Sequence, residues 1–292
     1  MNSCKTFSKK YPIVLVVMSF LFIWGLLKLV RLMPDMPFNL AISEGIMAVC
    51  VFIFTFLFMG KEKLSFNLKG LGYAFRSLRG YYIFMIFMSV LTVVATIVNN
   101  IVVKHVDASF QPVMFVNILI GCIFIGIVEE FSFRGLMFGG LLQKFGNTKK
   151  GIVLAAVISG MIFGFAHVMD SVIGGEVIDA GTAATAILKT FQCAIFGIIL
   201  AFIYYKTRNI YVVALLHTLD DFMLMLSITV GNTERVNYVG TDNMWSRVGM
   251  YALFTVILIP CLIRSIKNVK PGEAVPFDDE FLPRKVEFKK RA

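Results

Sequence analysis

The sequence has few charged residues for its length. Asp, Glu, Lys and Arg make up 16% of its 292 residues and 58% are hydrophobic, whereas about 25% of a soluble domain is charged. Apolar runs long enough to cross a bilayer, which takes about 20 residues, recur along the whole chain. This composition excludes an ordinary soluble domain. It predicts an all-α, polytopic protein of the cell membrane, surrounded by membrane lipids.

The cysteines lack any of the spacings that signal a disulfide framework or a metal site. The five are scattered, and no CxxC or CxH pattern occurs. Four of them lie within apolar runs, so we interpret them as small buried residues. The net charge is +10, but in a membrane protein an excess of Lys and Arg indicates cytoplasmic loops. We therefore expect no nucleic-acid partner.

Eight apolar runs predict eight transmembrane helices. With the N-terminus in the cytoplasm, the predicted cytoplasmic segments hold 21 Lys and Arg and the segments on the other side hold 5. Because cytoplasmic loops are enriched in basic residues, both termini are expected in the cytoplasm. The expected bounds are about 12–30, 40–59, 81–103, 113–142, 150–169, 184–205, 209–230 and 248–264.

The spans divide the chain into three predicted parts. Residues 1–112 would form three N-terminal spans with a basic cytoplasmic loop, residues 113–230 a membrane core, and residues 231–292 the last span and a basic cytoplasmic tail. Within the loop, residues 61–80 fit either an amphipathic helix on the membrane surface or a plain basic loop. The tail from Lys267 is polar and is expected to be a flexible arm near anionic lipid.

Three charged residues interrupt the most apolar part of the chain, at Glu129, Glu130 and Arg134. Each charge at the centre of a membrane helix costs about 2.5–3.5 kcal/mol, so such residues usually serve a function. On a helix, Glu130 and Arg134 are four residues apart and can form an ion pair. Glu129 lies about 100° around the helix from Glu130 and is less well placed to pair with Arg134. This freedom favours Glu129 as a general base.

Two further polar interruptions contain histidine. The first ends in His167, and the second contains His217 and Asp221, which lie four residues apart and share a helix face. The third histidine, His105, falls in a predicted loop. Counted along straight helices, Glu129 and these three residues differ in depth by about 13 Å. They can form one site only if the spans tilt or bend.

These residues form three motifs: Glu129-Glu130-x-x-x-Arg134, Phe163-x-x-x-His167 and His217-x-x-x-Asp221. In order and in placement, within the fourth, fifth and seventh predicted spans, they resemble the signatures of the CPBP family. That family, also called Abi, comprises CAAX prenyl endopeptidases and bacteriocin-processing or self-immunity membrane proteins. The resemblance covers residues 113–230. The third motif ends in Asp221, where the prenyl-protein endopeptidases carry Asn.

The resemblance implies an intramembrane endopeptidase that acts on a membrane-associated peptide or protein. Glu129 and His167 would activate the water that attacks the peptide carbonyl. His217 and Asp221 match the family's oxyanion-binding pair. Because an ionised aspartate cannot donate a hydrogen bond, we expect Asp221 to orient His217 by accepting from its ring.

Three further motif residues are expected to support the site. Glu130 and Arg134 would hold its charge balance, and Phe163 would pack against it. We expect the peptide to enter from the cytoplasmic half of the membrane.

A zinc metalloprotease is the alternative within enzymes, since carboxylates and imidazoles are zinc ligands. The sequence has no HExxH motif, and Arg134 would oppose a bound cation. No cofactor is therefore preferred, and zinc is kept as the alternative. Its ligands would come from Glu129, Glu130, His167, His217 and Asp221.

Two alternatives are not enzymes. Buried acidic residues and histidines also serve proton-coupled transporters, and a self-immunity protein could keep the fold without the activity. The chain shows no inverted repeat and retains every motif residue, which favours the endopeptidase. Outside the motifs, Lys189 is expected to snorkel or to pair within the bundle, and Asp220 to face solvent or pair with a helix. Gly160 and Gly164 should permit close helix packing.

Overall fold

The computed structural model describes residues 2–34, 38–106, 108–230, 244–272 and 275–286. Twelve α-helices lie within these residues. They are α1 (Asn2–Lys10), α2 (Pro12–Val30), α3 (Asn39–Met59), α4 (Leu71–Ser77), α5 (Arg79–Val98), α6 (Pro112–Glu130), α7 (Gly139–Phe145), α8 (Lys149–Ala166), α9 (Met169–Ile173), α10 (Ala180–Thr207), α11 (Ile210–Met225) and α12 (Met244–Asn268).

Three short segments of other helix types continue the α-helices. A π-helical segment, Asn99–Val103, extends α5, a second one, Phe131–Phe138, joins α6 to α7, and a 3₁₀ turn, Leu226–Thr229, extends α11. Helices α6 and α7 therefore form one continuous helical element.

Eight elements in the described residues are long and apolar enough to cross a membrane. Because hydrocarbon offers no hydrogen-bond partners, the backbone of such a run must satisfy its own polar groups, and a helix does so. The all-α fold and the eight predicted spans are confirmed, whereas the cytoplasmic termini stay a prediction. The spans are Pro12–Val30, Asn39–Met59, Arg79–Val103, Pro112–Phe145, Lys149–Ala166, Ala180–Thr207, Ile210–Thr229 and Met244–Asn268.

Polar side chains fix where several spans begin. Thr148 accepts a hydrogen bond from a backbone N–H in the first turn of α8, and Asp179 and Asn209 do the same for α10 and α11. Such caps satisfy donors that the helix itself leaves unpaired. Pro12 and Pro112 occupy the first positions of α2 and α6, where a missing N–H costs nothing.

Helix α10 lies at the centre of the bundle. It packs mainly against α8 and α12, while α6 packs against α3 and α11. Gly160 and Gly164 of α8 are so close to the backbone of α10 that a side chain at either position would collide with it. The predicted role of this glycine pair in close packing is confirmed. The arrangement brings the three motif-bearing elements, α6, α8 and α11, together around α10.

The C-terminal tail folds back on the bundle. Phe277 and Phe281 are fully buried, and the Arg284 N–H donates to the Thr207 carbonyl at 3.0 Å. The prediction of a flexible arm is therefore wrong for residues 275–286. The basic end of the tail, 289–291, and the start of the third predicted part, 231–243, lie outside the described residues.

The basic stretch between α3 and α5 combines both predicted forms. Only Leu71–Ser77 is helical, whereas residues 61–70 form turns and extended chain. This non-helical part lies against α11, where the Tyr211 hydroxyl donates to the Leu64 carbonyl at 2.7 Å. The stretch therefore covers the same face of the bundle as the tail.

Candidate active site

Glu129 and Glu130 are the last two residues of α6, directly before the π-helical segment Phe131–Phe138. A π-helical turn is wider than an α-helical one, and such insertions occur frequently at functional sites. All eight residues of the segment are buried. The change in winding therefore takes place inside the bundle, at the position of the two carboxylates.

Close packing of α6 and α11 brings the third motif beside the first. At Gly126 a side chain would collide with the Ala214 carbonyl and with Thr218. The Thr218 hydroxyl donates to the Cys122 carbonyl at 3.2 Å across the same contact. Since Gly126 and Thr218 adjoin the motif residues, this contact places His217 next to the glutamate pair.

His217 is oriented by Glu130. Its Nδ1 lies 2.7 Å from Oε1 of Glu130, and the same oxygen lies 2.8 Å from Nη1 of Arg134. All three side chains are buried. The predicted Glu130–Arg134 ion pair is confirmed, but the role expected for Asp221 is corrected. Its Oδ2 is 3.7 Å from Nε2 of His217, too far for a hydrogen bond that would hold the ring.

Glu129 points at both histidines. Its Oε2 lies 3.3 Å from Nε2 of His217 and 4.0 Å from Nε2 of His167. This buried oxygen has no hydrogen-bond partner among the described residues. Nδ1 of His167 lies 2.9 Å from the Phe163 carbonyl oxygen, an acceptor, so Nδ1 carries the proton. Nε2 of the same ring then faces Glu129.

Phe163 packs among the charged and imidazole groups. Its ring stands edge-on to the rings of His167 and His217, with centroids 4.6 and 5.6 Å away. The Arg134 guanidinium lies 4.2 Å from its centroid, within the range of a cation–π contact. The predicted packing role of Phe163 is confirmed by these contacts with both histidines.

The connection between α10 and α11 explains how the motif residues reach one depth. Asn209 is fully buried, and its Nδ2 donates to the carbonyl oxygens of Asn67 and Lys69. Residues 61–70 and the C-terminal tail cover this connection. The predicted difference of about 13 Å in the depths of the motif residues assumed that this connection lies at the membrane surface. Because other parts of the chain cover the start of α11, this start lies inside the protein, and His217 reaches Glu129.

Residues outside the three motifs complete the surroundings of the site. The Tyr81 hydroxyl of α5 donates to Oδ1 of Asp220 at 2.7 Å, and both side chains are buried. Asp220 is thus a helix-pairing residue, one of its two predicted roles. The Cys193 thiol of α10 interacts with His167 and with Lys189. The charge of Lys189 within an apolar run signalled this contact, whereas nothing in the sequence singled out Tyr81.

A cavity of about 1510 Å³ runs from His167 to the helix ends near Arg31 and Gln111. These ends lie opposite the face that carries the tail. With cytoplasmic termini, as the charge distribution predicts, these ends would face away from the cytoplasm. The side from which a peptide enters stays a prediction. Its walls are largely apolar and rich in methionine, and they include Met85, Met88, Met114, Met223, Met225 and Met250.

An ion-pair cluster stands at the mouth of this cavity. Asp170 is bound by Lys28 at 2.8 Å and by Arg31, both from the end of α2. Burial alone would raise the pKa of Asp170, but the hydrogen bond from Lys28 and the charge of Arg31 outweigh it and hold the pKa below its usual value. The cluster ties α2 to the chain just after His167.

The zinc alternative finds no ready ligand set in this arrangement. Within residues 2–34, 38–106, 108–230, 244–272 and 275–286, no group of three or more His, Cys, Asp or Glu is arranged to hold a metal ion. Glu130 already has Arg134 and Nδ1 of His217 as partners. The contact of Nδ1 with Glu130 leaves Nε2 of His217 available, as in many zinc-bound histidines. The candidate ligands that remain are Glu129, His167, His217 and Asp221, and a chelator tests them.

Comparison with known proteins agrees with the motif-based resemblance. Residues 111–223 match a family model described as Type II CAAX prenyl endopeptidase Rce1-like. No curated protein and no solved structure matches the chain. The matched region contains all three motifs, together with α6, α8, α10 and most of α11.

Proposed function

We propose that this chain, whose residues 111–223 form an Rce1-like domain of the CPBP family, is an intramembrane endopeptidase. Its substrate would be a membrane-associated protein or peptide. One observation carries the proposal: Oε2 of Glu129 lies 3.3 and 4.0 Å from the Nε2 atoms of His217 and His167. A carboxylate that faces two imidazoles in a partly buried site is suited to general acid–base catalysis.

Glu129 and His167 would together bind and activate the water. Atoms 4.0 Å apart can both hydrogen-bond one water at about 2.8 Å from each. Glu129 takes a proton from this water while the water oxygen attacks the peptide carbonyl carbon. The tetrahedral intermediate then breaks its C–N bond, and the proton passes from Glu129 to the leaving amine. No covalent enzyme intermediate forms.

His217 would stabilise the oxyanion. Three carboxylates, from Glu129, Glu130 and Asp221, lie within 2.7–3.7 Å of its ring nitrogens, and such surroundings favour a cationic ring. Nδ1–H then donates to Glu130, and Nε2–H is available to the oxyanion. Arg134 offsets the negative charge of Glu130. Asp221 stands next to the oxyanion position, as in the family's third motif.

The direct test is cleavage of membrane-anchored peptides by the purified protein in detergent. We expect Glu129→Gln and His167→Ala to abolish cleavage, because each removes one of the two groups that bind the water. Glu62→Gln and His105→Ala make the same chemical changes outside the site and should cleave like the wild type. Circular dichroism and size exclusion check that all four variants are folded.

The same assay separates the alternatives. Cleavage that survives a chelator supports the glutamate-activated water. Cleavage that a chelator abolishes and zinc restores would make this a metalloprotease. An immunity protein or a transporter would leave every peptide intact, and proton uptake into liposomes would then identify the transporter.

A further inference from the structure

Lys189 is a charged residue deep in the bundle that the proposed chemistry does not use. It lies nine residues from the start of α10, about 14 Å along the helix axis, and it is only 5% exposed. Its Nζ donates to Oε1 of Gln192 at 3.2 Å and lies 5.2 Å from the ring centroid of Tyr251. The ammonium group is thus held in a defined position.

The contacts of Lys189 argue against a snorkelling role. A snorkelling lysine extends its amine to the nearer membrane surface. The amine of Lys189 is instead held inside the bundle by Gln192 and Tyr251. A buried cation in a membrane protein is a candidate functional group.

Lys189 and the catalytic His167 line the same cavity. The Cys193 thiol interacts with both side chains. Because the two groups share one small neighbour, a peptide that lies in the cavity can contact both. A peptide with its scissile carbonyl near His167 could therefore bring a nearby group to Lys189.

We propose that Lys189 binds a carboxylate of the substrate and thereby selects peptides with a negative charge close to the scissile bond. This inference rests on the proposed peptidase function. The carboxylate could be a main-chain terminus or an Asp or Glu side chain, since both present the same group. Gln192 and Tyr251 hold the amine in place, so they are positioning residues.

The rest of the cavity suits an apolar peptide. Met85, Met88, Met223 and Met225 line its walls, and methionine adapts to side chains of different shapes. On the catalytic side, Glu129 and Asp221 would repel an anion. Lys189 would therefore confine the substrate's charge to one end of the cavity and set the direction in which the peptide lies.

Binding is measured with Glu129→Gln, which is expected to hold peptides without cleaving them. The probes are short apolar fluorescent peptides that carry either a free C-terminal carboxylate or an amide, and either Glu or Gln near the expected cleavage position. A charge-assisted contact is worth about 1.5–3 kcal/mol, so the favoured acid should bind about 10- to 100-fold more tightly than its amide. Lys189→Met in the same background should abolish this difference.

Lys206→Met is the matched control, because Lys206 lies on the same helix outside this cavity. The Lys206→Met variant should still bind the acidic peptide more tightly than its amide. In the cleavage-competent protein, Lys189→Met should raise KM for acidic peptides by a similar factor and leave kcat and the KM of amides unchanged. Which pair of probes responds, terminal or side-chain, identifies the source of the carboxylate.

The outcomes distinguish the two proposals. A charge-dependent Kd that Lys189 controls, without cleavage by the wild type, would keep the carboxylate site and refute the peptidase. Cleavage by the wild type with equal Kd values for the acidic and the amidated peptides would keep the peptidase and refute the carboxylate site. Equal weakening of acid and amide by Lys189→Met would give the residue a structural role only and overturn the inference, as would failure to bind any of the probes.

Discussion

Nδ1 of His217 lies 2.7 Å from Oε1 of Glu130, and Nη1 of Arg134 lies 2.8 Å from the same oxygen. One buried carboxylate therefore joins a histidine from α11 to an arginine from the π-helical segment. Glu130 fixes the direction in which Nε2 of His217 points, and Arg134 offsets the charge of that carboxylate. The geometry of the site and the stability of the bundle depend on the same three groups.

The first prediction concerns Arg134. Substituting Arg134→Met leaves the buried Glu130 carboxylate without its cation, and breaking such a pair typically costs about 3–5 kcal/mol. We expect a large loss of thermal stability in detergent. The double variant Arg134→Met with Glu130→Gln should regain part of it, because the buried carboxylate that Arg134 offsets is then also removed. Equal melting temperatures for the single and double variants would contradict this account of the pair.

The second prediction concerns Asp221. We expect Asp221→Asn to retain cleavage, since an amide N–H can donate to the oxyanion, and the prenyl-protein endopeptidases carry Asn at this motif position. Asp221→Ala should lower kcat, because it removes one of the three carboxylates that favour the cationic, oxyanion-binding ring of His217. His217 keeps its orientation in both variants through Glu130. Wild-type kinetics in Asp221→Ala would remove Asp221 from the catalytic group.

The third prediction concerns Tyr81 and Asp220, which are hydrogen-bonded at 2.7 Å in the protein interior. Removing the hydroxyl in Tyr81→Phe leaves a buried charged acceptor without this donor, at a cost of about 1.5–3 kcal/mol. A double-mutant cycle with Asp220→Asn, followed by thermal unfolding, should give a coupling energy above about 1 kcal/mol. Additive effects would show that the contact does not stabilise the α5–α11 interface.

The fourth prediction concerns pH and Lys63, a buried residue of the 61–70 stretch. Burial lowers its pKa to about 8, although the charge of Asp279 acts against this. The unfolded chain binds the proton more tightly, so Lys63 opposes folding below about pH 8, and this penalty disappears as pH rises to about 10.5. At neutral pH the penalty is at most about 3 kcal/mol.

Melting temperatures of the wild type and Lys63→Met test this dependence. The methionine variant should be more stable at pH 7, and its advantage should shrink at pH 9.5. Lys61→Met, a change at an exposed neighbour, should show no such trend. An advantage for Lys63→Met that is independent of pH would assign the effect to packing alone.

Much of the fold follows from the sequence because a bilayer imposes strong constraints. Any run of about 20 apolar residues must satisfy its backbone internally, so hydropathy alone locates the spans. The same constraint makes buried charges conspicuous. Glu129, Glu130 and Arg134 can therefore be recognised as candidate site residues from the sequence alone, and so can the two histidine motifs.

The parts that sequence reasoning missed depend on contacts between distant segments. Burial of Asn209 beneath residues 61–70 and the tail lowers α11 to the depth of Glu129, and no local pattern encodes this. Both Glu130 and Asp221 can accept from His217, so spacing alone could not decide which orients the ring. The burial of Lys189 likewise depends on Gln192 and on the neighbouring helices.

Hydrolysis of a membrane-anchored peptide in ¹⁸O-labelled water, analysed by mass spectrometry, tests the central claim most directly. The account predicts that the wild type, with chelator present, places one ¹⁸O atom in the newly formed carboxylate, and that Glu129→Gln forms no product. Acid quenching should trap no covalent peptide–enzyme adduct, because water attacks directly. Cleavage by Glu129→Gln at the wild-type rate, or a trapped adduct, would contradict the glutamate-activated water.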